Sequence, residues 1–481
     1  MRIVVVGGGV GGLAAAMKLG RLGHQVTVVE RDPTPMPTTP DEAFDWDRRG
    51  APQVRHSHAF LGRLHSLLRE HEPDVLEALL QAGATELRFG QDLPDTLTGF
   101  APEPGDEELV MLACRRTTFE WVLRDIALRE GNVELRVGAA VTGLIAEPGS
   151  PPRVTGVRLE DGSELPADLV VVAAGRRSAL PEWLRDIGAG EMPEETEDTG
   201  IVYLSRFYRL REGTEYPPRA GTIGGDLGYV KYGVFVGDNR TFSVTLATPT
   251  DDDELRRRLA DARTFDDAAR SLVATAPWLD GRAEPITDGV HVMAGLLNRL
   301  REAVVDGKPL ALGVVPLGDA AICTNPLYGR GCAIAYWAAH LLADVVTRGG
   351  DESSIVLDYD AAMRSEILPW YRAGVQQDAE ARRVAAALLA GEDPDADSSD
   401  PRTTMRAVFR DGLLPALRTD AVVLRAFVRN LNLLSPPDAM ANDPEVGARV
   451  LAVWQDRDRR PPPDPLGPST RAEFLASLTT V

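Results

Sequence analysis

The chain has 481 residues, of which 44% are apolar, and a formal net charge of −20. That length predicts two or three domains at about 150 residues each, with a core large enough to need no disulfide or metal staple. The acidic balance argues against nucleic acid and against anionic membrane surfaces as partners, and leaves any phosphate site dependent on local arginines and helix ends.

In chain order, Ile3 to Val6 form an apolar run, followed by Gly7-Gly8-Gly9-Val10-Gly11-Gly12 and an Ala/Leu-rich stretch to Leu22. His24 to Val29 reads as a second strand, ending in Glu30. Strand, glycine turn, helix, strand and acid, with the acid about 20 residues on, is the arrangement a dinucleotide needs. Gly7 allows the tight turn, Gly9 lets the backbone approach a pyrophosphate, and Gly12 lets helix and strand pack closely. The helix start offers N–H groups and partial positive charge to phosphate, and Glu30 is placed for a ribose diol. The motif alone leaves NAD, NADP and FAD open.

Pro33 to Pro40, with four prolines in eight residues, is an irregular loop. His56-Ser57-His58 has no further carboxylate or histidine nearby in sequence and reads as loop or helix-start residues, so no metal is expected. Ala59 to Leu80 has helical periodicity broken near Pro73, Asp92 to Asp106 is loop or edge, and Thr117 to Arg129 is a helix. Short strands follow at Val133–Val137, Ala140–Ala146 and Val154–Leu159, and Asp161-Gly162 signals a hairpin. Leu169 to Ala174 reads as a strand buried on both faces. Ile201–Leu210, Tyr229–Val236 and Thr241–Ala247 alternate as in a separate antiparallel sheet, and Asp251–Thr275 is helical.

Leu310–Val315 is another buried strand, leading into Gly318-Asp319-Ala320-Ala321 and Asn325-Pro326-Leu327-Tyr328-Gly329-Arg330-Gly331. An Asp at such a turn accepts from sugar hydroxyls, and the glycines let backbone N–H groups approach a flat ligand. A long helix starts near Gly331 and ends before Gly349. Residues 351–481 look mainly helical, interrupted by the acidic loop Gly391–Pro401 and the proline-rich Arg460–Pro468. Cys114, Cys323 and Cys332 are sparse and odd in number, which suits a reducing cytoplasm. Met1-Arg2 runs straight into a strand, so no signal peptide is expected, and no apolar stretch reaches the roughly 20 residues of a membrane helix.

On Gly7–Gly12, Arg116-Thr117-Thr118-Phe119-Glu120 and Gly318-Asp319 with Pro326, Gly329 and Gly331, the chain resembles the flavoprotein aromatic hydroxylases of the para-hydroxybenzoate hydroxylase-like superfamily. Gly50-Ala51-Pro52-Gln53, Tyr203 to Arg206, Ala174-Gly175-Arg176 and Asn325 to Gly329 bring it nearest the squalene-epoxidase-like branch with its bacterial polyether epoxidases. The resemblance implies an α/β fold: a discontinuous Rossmann-like FAD-binding domain (1–90, 115–180, 296–350), an inserted antiparallel β-sheet substrate domain (91–114, 181–295), and a mainly helical C-terminal region (351–481). It implies FAD contacts at Gly7, Gly9, Val10, Gly11, Gly12, Glu30, Arg31, Val141, Gly175, Gly318, Asp319, Gly329, Gly331 and Cys332. Arg116 is expected at the pyrophosphate, with Arg55 as its companion from the Gln53–Phe60 segment.

The resemblance also implies a monooxygenase that epoxidises or hydroxylates an apolar, natural-product-like molecule with O2 through a flavin C4a-hydroperoxide. The family's mid-chain Asp is Ala174 here. NADPH or NADH is therefore the donor either directly or through a separate flavin or ferredoxin reductase. Pro326, Tyr328, Arg206, Tyr208, Tyr232 and His291 are candidates for the substrate pocket, and no side chain is assigned as acid or base. A reductase or dehydrogenase of the geranylgeranyl-reductase type shares both cofactor motifs. A flavin-dependent halogenase is disfavoured because no two tryptophans stand two apart, and a non-catalytic dinucleotide module would leave the second motif unexplained. Hydrolases find no Gly-x-Ser-x-Gly elbow, and His71-Glu72 lacks a zincin's second histidine.

Overall fold

The computed structural model describes residues 1–218, 223–461 and 465–478. Its first layer is a five-stranded sheet in which every neighbouring pair is parallel, in the order Val314–Pro316, Leu169–Val172, Arg2–Val6, Gln25–Glu30, Val133–Val137. The central strands are β-branched and buried on both faces, as parallel strands are. Ile3 and Val5 pack with Leu13 and Met17 of the helix Val10–Arg21 and with the helix Gly331–Arg348. Val4 and Val6 point the other way, onto Leu144, Val157 and Trp183 beneath a three-stranded antiparallel sheet. In that sheet Arg153–Leu159 and Glu164–Pro166 form the hairpin signalled by Asp161-Gly162, with Gly162 left-handed at φ +81°.

A second large sheet is antiparallel, with the long strands Lys231–Val236, Thr241–Pro249 and Ile201–Leu210. His291–Met293 and Ala283–Pro285 both add to the last of these. Strand alternation gives this sheet two different faces. Leu204, Tyr208, Phe242, Val244 and Leu246 pack against helices Asp253–Leu259 and Ala262–Arg270 and against Phe474 from the far end of the chain. Tyr203, Ser205, Ser243 and Thr245 lie on the opposite face, toward the glycine-rich domain.

Beyond the long helix come Glu352–Glu366, Leu368–Leu389 and a group of shorter helices packed on Ala416, Val423, Val446 and Val450. Asn432 ties this group back, its Oδ1 accepting from Gly62 N at 2.7 Å. Part of the Arg460–Pro468 loop lies outside the described residues.

Two segments differ from the sequence reading. Val110–Ala113, expected with the substrate sheet, pairs with Thr85–Arg88, and Leu112 and Cys114 join the first domain's core. The strand expected over Leu310–Val315 is confined to Val314–Pro316, because Gly313 turns left-handed at φ +70° with the Val154 carbonyl against its Cα. No helix among the described residues is long and apolar enough to cross a membrane.

Candidate cofactor and substrate cavity

A single elongated cavity of about 330 Å³ opens where the parallel strands end. Ligands gather there in open α/β sheets because the loops diverge. Gly7, Gly9, Val10 and Gly11 line one end, with Glu30, Arg31 and Val141 beside them. Gly7 is left-handed at φ +108°, and a Cβ on it would lie 2.5 Å from the Ala173 carbonyl oxygen. Gly12 is not on the wall. Its Cα faces the Gly7 carbonyl so closely that any side chain would collide with it, so Gly12 serves turn packing rather than ligand contact. Gly9, by contrast, has open space where a side chain would go. The helix after it carries no side-chain cap and no acid in its first turn, leaving its N–H groups free for an anion.

Glu30 is buried and already engaged: its Oε2 accepts from Gly8 N at 3.0 Å and from Arg48 at 3.2 Å, and its Oε1 accepts from Asp32 N at 3.0 Å. Arg48 also donates to the Gly8 carbonyl at 3.2 Å and lies 3.6 Å from Glu120 Oε2. Arg48 and Arg124 both stack on Trp46, 4.8 and 4.6 Å from its ring. Arg48 Nε and Nη1 are buried without a hydrogen-bond partner, Nε lying 3.8 Å from Asp32 Oδ2, and are donors that a ribose or phosphate oxygen would satisfy. Arg55 is not on this wall. Its guanidinium donates to the Phe44 carbonyl at 3.0 Å, so the buried arginine of this region is Arg48.

The middle of the cavity is formed by Gly175, Gly318, Asp319, Gly331 and Cys332 together with Arg116. Arg116 is largely enclosed, its side chain 11% exposed. It is paired with Glu120 at 2.8 Å and faces His58 Nε2 at 3.3 Å and Cys332 Sγ at 3.7 Å. Burial raises the Asp319 carboxyl above the usual range, and the Arg116 and Arg176 charges offset this only in part. Gly175 and Gly331 present bare backbone to open space. A glycine turn, a second backbone-lined turn with a half-buried acid, and arginine donors without hydrogen-bond partners fit a dinucleotide such as FAD spanning the cavity. Ala174, at the place of the family's acid, lines the wall as well.

The far end is apolar, with Met293, Leu296, Leu297 and Pro326, and it carries two histidines that sequence reading set aside as loop residues. Burial, with His291 and Arg176 nearby, lowers His56 to about 3. Burial and the Arg116 charge lower His58 to about 3 as well. His58 Nδ1 lies 2.9 Å from the His56 carbonyl and so carries the proton, while Nε2 accepts from Arg116. His56 Nδ1 meets Ser205 Oγ at 3.1 Å, and Ser205, Thr245, Ser57 and Ser243 continue as a chain of hydroxyls at 2.6–2.8 Å.

Of the expected substrate residues, only Pro326 lines the cavity. Tyr328 stands behind it and donates to Asp378 at 2.7 Å. Arg206 and Tyr208 bind Asp266, each at 2.7 Å, on the helix-covered side of the sheet. Tyr232 donates to the Leu466 carbonyl at 2.8 Å. His291 pairs in register with Ser205, one layer behind, with its ring 6.3 Å from that of His56. These five, Tyr328, Arg206, Tyr208, Tyr232 and His291, are corrected from pocket to scaffold. The small polar residues Ser205, Ser243 and Thr245, alternating within apolar strands, were the available sign of which face turns inward.

Residues 2–46 match the pyridine nucleotide-disulphide oxidoreductase family model. Over most of its length the chain is similar to "Protein Rv3254" of Mycobacterium tuberculosis, 28% identical over 95% of this chain and 96% of that one. It is 27% identical to a menaquinone reductase of Mycolicibacterium smegmatis, over 80% and 84% of the two chains. It is 24% identical to a kynurenine 3-monooxygenase of Salinispora arenicola, over 88% and 92%. Among solved structures, Pseudomonas aeruginosa PqsL in complex with 2-aminobenzoylacetate superposes with TM-score 0.57 at 20% identity, covering 81% of this chain and 96% of that one. The OxyS anhydrotetracycline hydroxylase of Streptomyces rimosus gives 0.55 at 20% identity, over 90% and 76%. The chain shares the fold of these solved structures.

Proposed function

We propose that this protein is an FAD-dependent monooxygenase that places one oxygen atom, by epoxidation or hydroxylation, on an apolar, natural-product-like substrate. The observation that carries this reading is one continuous cavity with dinucleotide-type turns at one end and, at the other, an apolar chamber whose two histidines are held neutral. The kynurenine monooxygenase and the anhydrotetracycline hydroxylase support it by similarity. Bound FAD, once reduced, supplies the O2 chemistry. The chain binds and orients it: the Gly7–Gly11 turn and Arg48 toward the diphosphate and ribose, Arg116 toward the pyrophosphate, and Asp319 toward the ribityl hydroxyls. Met293, Leu296, Leu297 and Pro326 exclude water from the chamber. His56 and His58, held as neutral imidazoles, add hydrogen-bonding capacity there without a charge.

NADPH or NADH is the electron source. Ala174 in place of the acid favours delivery through a separate flavin or ferredoxin reductase. The buried thiols suit a cytoplasmic setting.

A second reading, an FAD-dependent reductase or dehydrogenase, is favoured by the menaquinone reductase relative. Oxygen uptake by purified yellow protein separates the two. With NADPH, reductase and substrate under 18O2, the monooxygenase consumes O2 and puts the label into product. Turnover of the same substrate without label incorporation makes it a reductase or dehydrogenase.

A further inference from the structure

The helix Leu368–Leu389 reaches the cavity's flavin-side loop without lining the cavity itself. Trp370, Gly374 and Asp378 stand four residues apart, so they share one stripe of that helix. All three meet the segment Asn325–Arg330. The Arg330 guanidinium is stacked between Trp370 and Tyr328, 4.8 and 4.7 Å from their rings. A Cβ at position 374 would sit in ordinary contact with the Tyr328 ring at 3.8 Å, so helix and loop pack closely there.

Asp378 is 2% exposed and gathers three donors. Its Oδ1 accepts from Asn325 Nδ2 at 2.8 Å and Tyr328 OH at 2.7 Å, and its Oδ2 accepts from Asn298 Nδ2 at 2.6 Å. Asn298 Oδ1 accepts in turn from Asn325 N at 2.7 Å. Asn325 Oδ1 accepts from Leu327 N at 2.9 Å and from Tyr203 OH at 3.1 Å. One carboxylate thus anchors donors from the loop and from strand Leu297–Arg301, and through Asn325 it reaches the inner face of the substrate sheet. Three donors suit a carboxylate, whereas an amide offers one acceptor oxygen and turns its NH2 against them. Burial pushes the Asp378 carboxyl up, against the pull of Asn298, Tyr328 and Asn325.

We propose that Asp378 is a positioning residue: from the C-terminal helix it fixes the Asn325–Gly329 loop, and with it Pro326, at the flavin-side wall, so that the helical tail sets the environment of the cofactor. This rests on the cavity holding FAD.

The test uses the full chain reconstituted with FAD, as wild type, Asp378→Asn, Tyr328→Phe and Glu380→Gln. The last alters the same helix at a residue bound to Arg383 and Arg406 instead. Flavin fluorescence gives the dissociation constant, the visible band reports the isoalloxazine surroundings, and thermal unfolding is followed in parallel. Asp378→Asn is expected to bind FAD about tenfold more weakly with an altered band shape. Tyr328→Phe is expected to move both in the same direction by less, and Glu380→Gln neither. Wild-type affinity and band shape in both Asp378→Asn and Tyr328→Phe, whatever happens to the melting temperature, overturn the proposal and leave the flavin reading standing. If Asp378→Asn does not fold, Tyr328→Phe alone decides. A wild type that takes up no FAD removes proposal and reading together.

Discussion

The two ends of the cavity solve the same problem, polar groups out of water, in opposite ways. Around Gly8 the charges are kept and matched: Glu30, Glu120 and Asp32 surround Arg48, with Arg124 stacked alongside. Burial opposes ionisation of Glu120, but Arg116 and Arg48 win, and its carboxyl stays below the usual range. At the chamber end the titratable groups are discharged instead, His56 and His58 being held neutral, and in the middle of the cavity the Cys332 thiol is pushed up to about 11 by burial. An end that must bind an anionic diphosphate keeps buried charge because partners compensate it. An end that must shelter apolar chemistry is cheaper to build from neutral groups.

The comparison breaks most visibly at the glycine turn. Gly12→Ala drives a methyl into the Gly7 carbonyl and is expected to cost more than about 4 kcal/mol, giving little soluble protein and no retained flavin. Soluble yellow Gly12→Ala would show that the turn is not held as described. Arg48→Ala sharpens the charged side. It takes the arginine from buried Glu30, leaves Glu120 to Arg116, and should lower unfolding free energy by about 3 kcal/mol in denaturant titration, with FAD affinity falling too. A loss near that of an exposed ion pair would mean that water already compensates the cluster.

Counted per pH unit, the smallest effect belongs to His58, on the neutral side. Its folded value, about 3, lies below its ordinary 6.5, so between those pH values the unfolded chain binds the extra proton. Stability should therefore fall as pH drops from 6.5, with about 1.4 kcal/mol per pH unit from this residue. His58→Gln should show a shallower slope by that amount, and an unchanged slope would place the imidazole in contact with water.

What could be read from the sequence was what is local. The glycine turn, the Asp161-Gly162 hairpin and the helix from Gly331 to Arg348 each depend on a few adjacent residues, and the structure has them where expected. What escaped depends on partners far along the chain. Nothing near Arg48 or Arg55 distinguishes them. The difference is that Arg48 meets Glu30 and Glu120, while Arg55 meets the Phe44 carbonyl. Tyr208 and Tyr232 were legible as strand residues, but period two says only that neighbours face opposite ways, not which way is inward. His56 became a wall residue through Ser205, 149 positions away.

The three cysteines are all buried and unpaired, and two of them, Cys323 and Cys332, border the cavity. Sulfur beside an oxygen-handling centre would ordinarily be consumed, since oxidation proceeds through the thiolate. Burial suppresses that form at both positions, Cys323 even more strongly than Cys332. The wall can accordingly be soft and polarisable where the proposed apolar guest would fit, yet chemically durable.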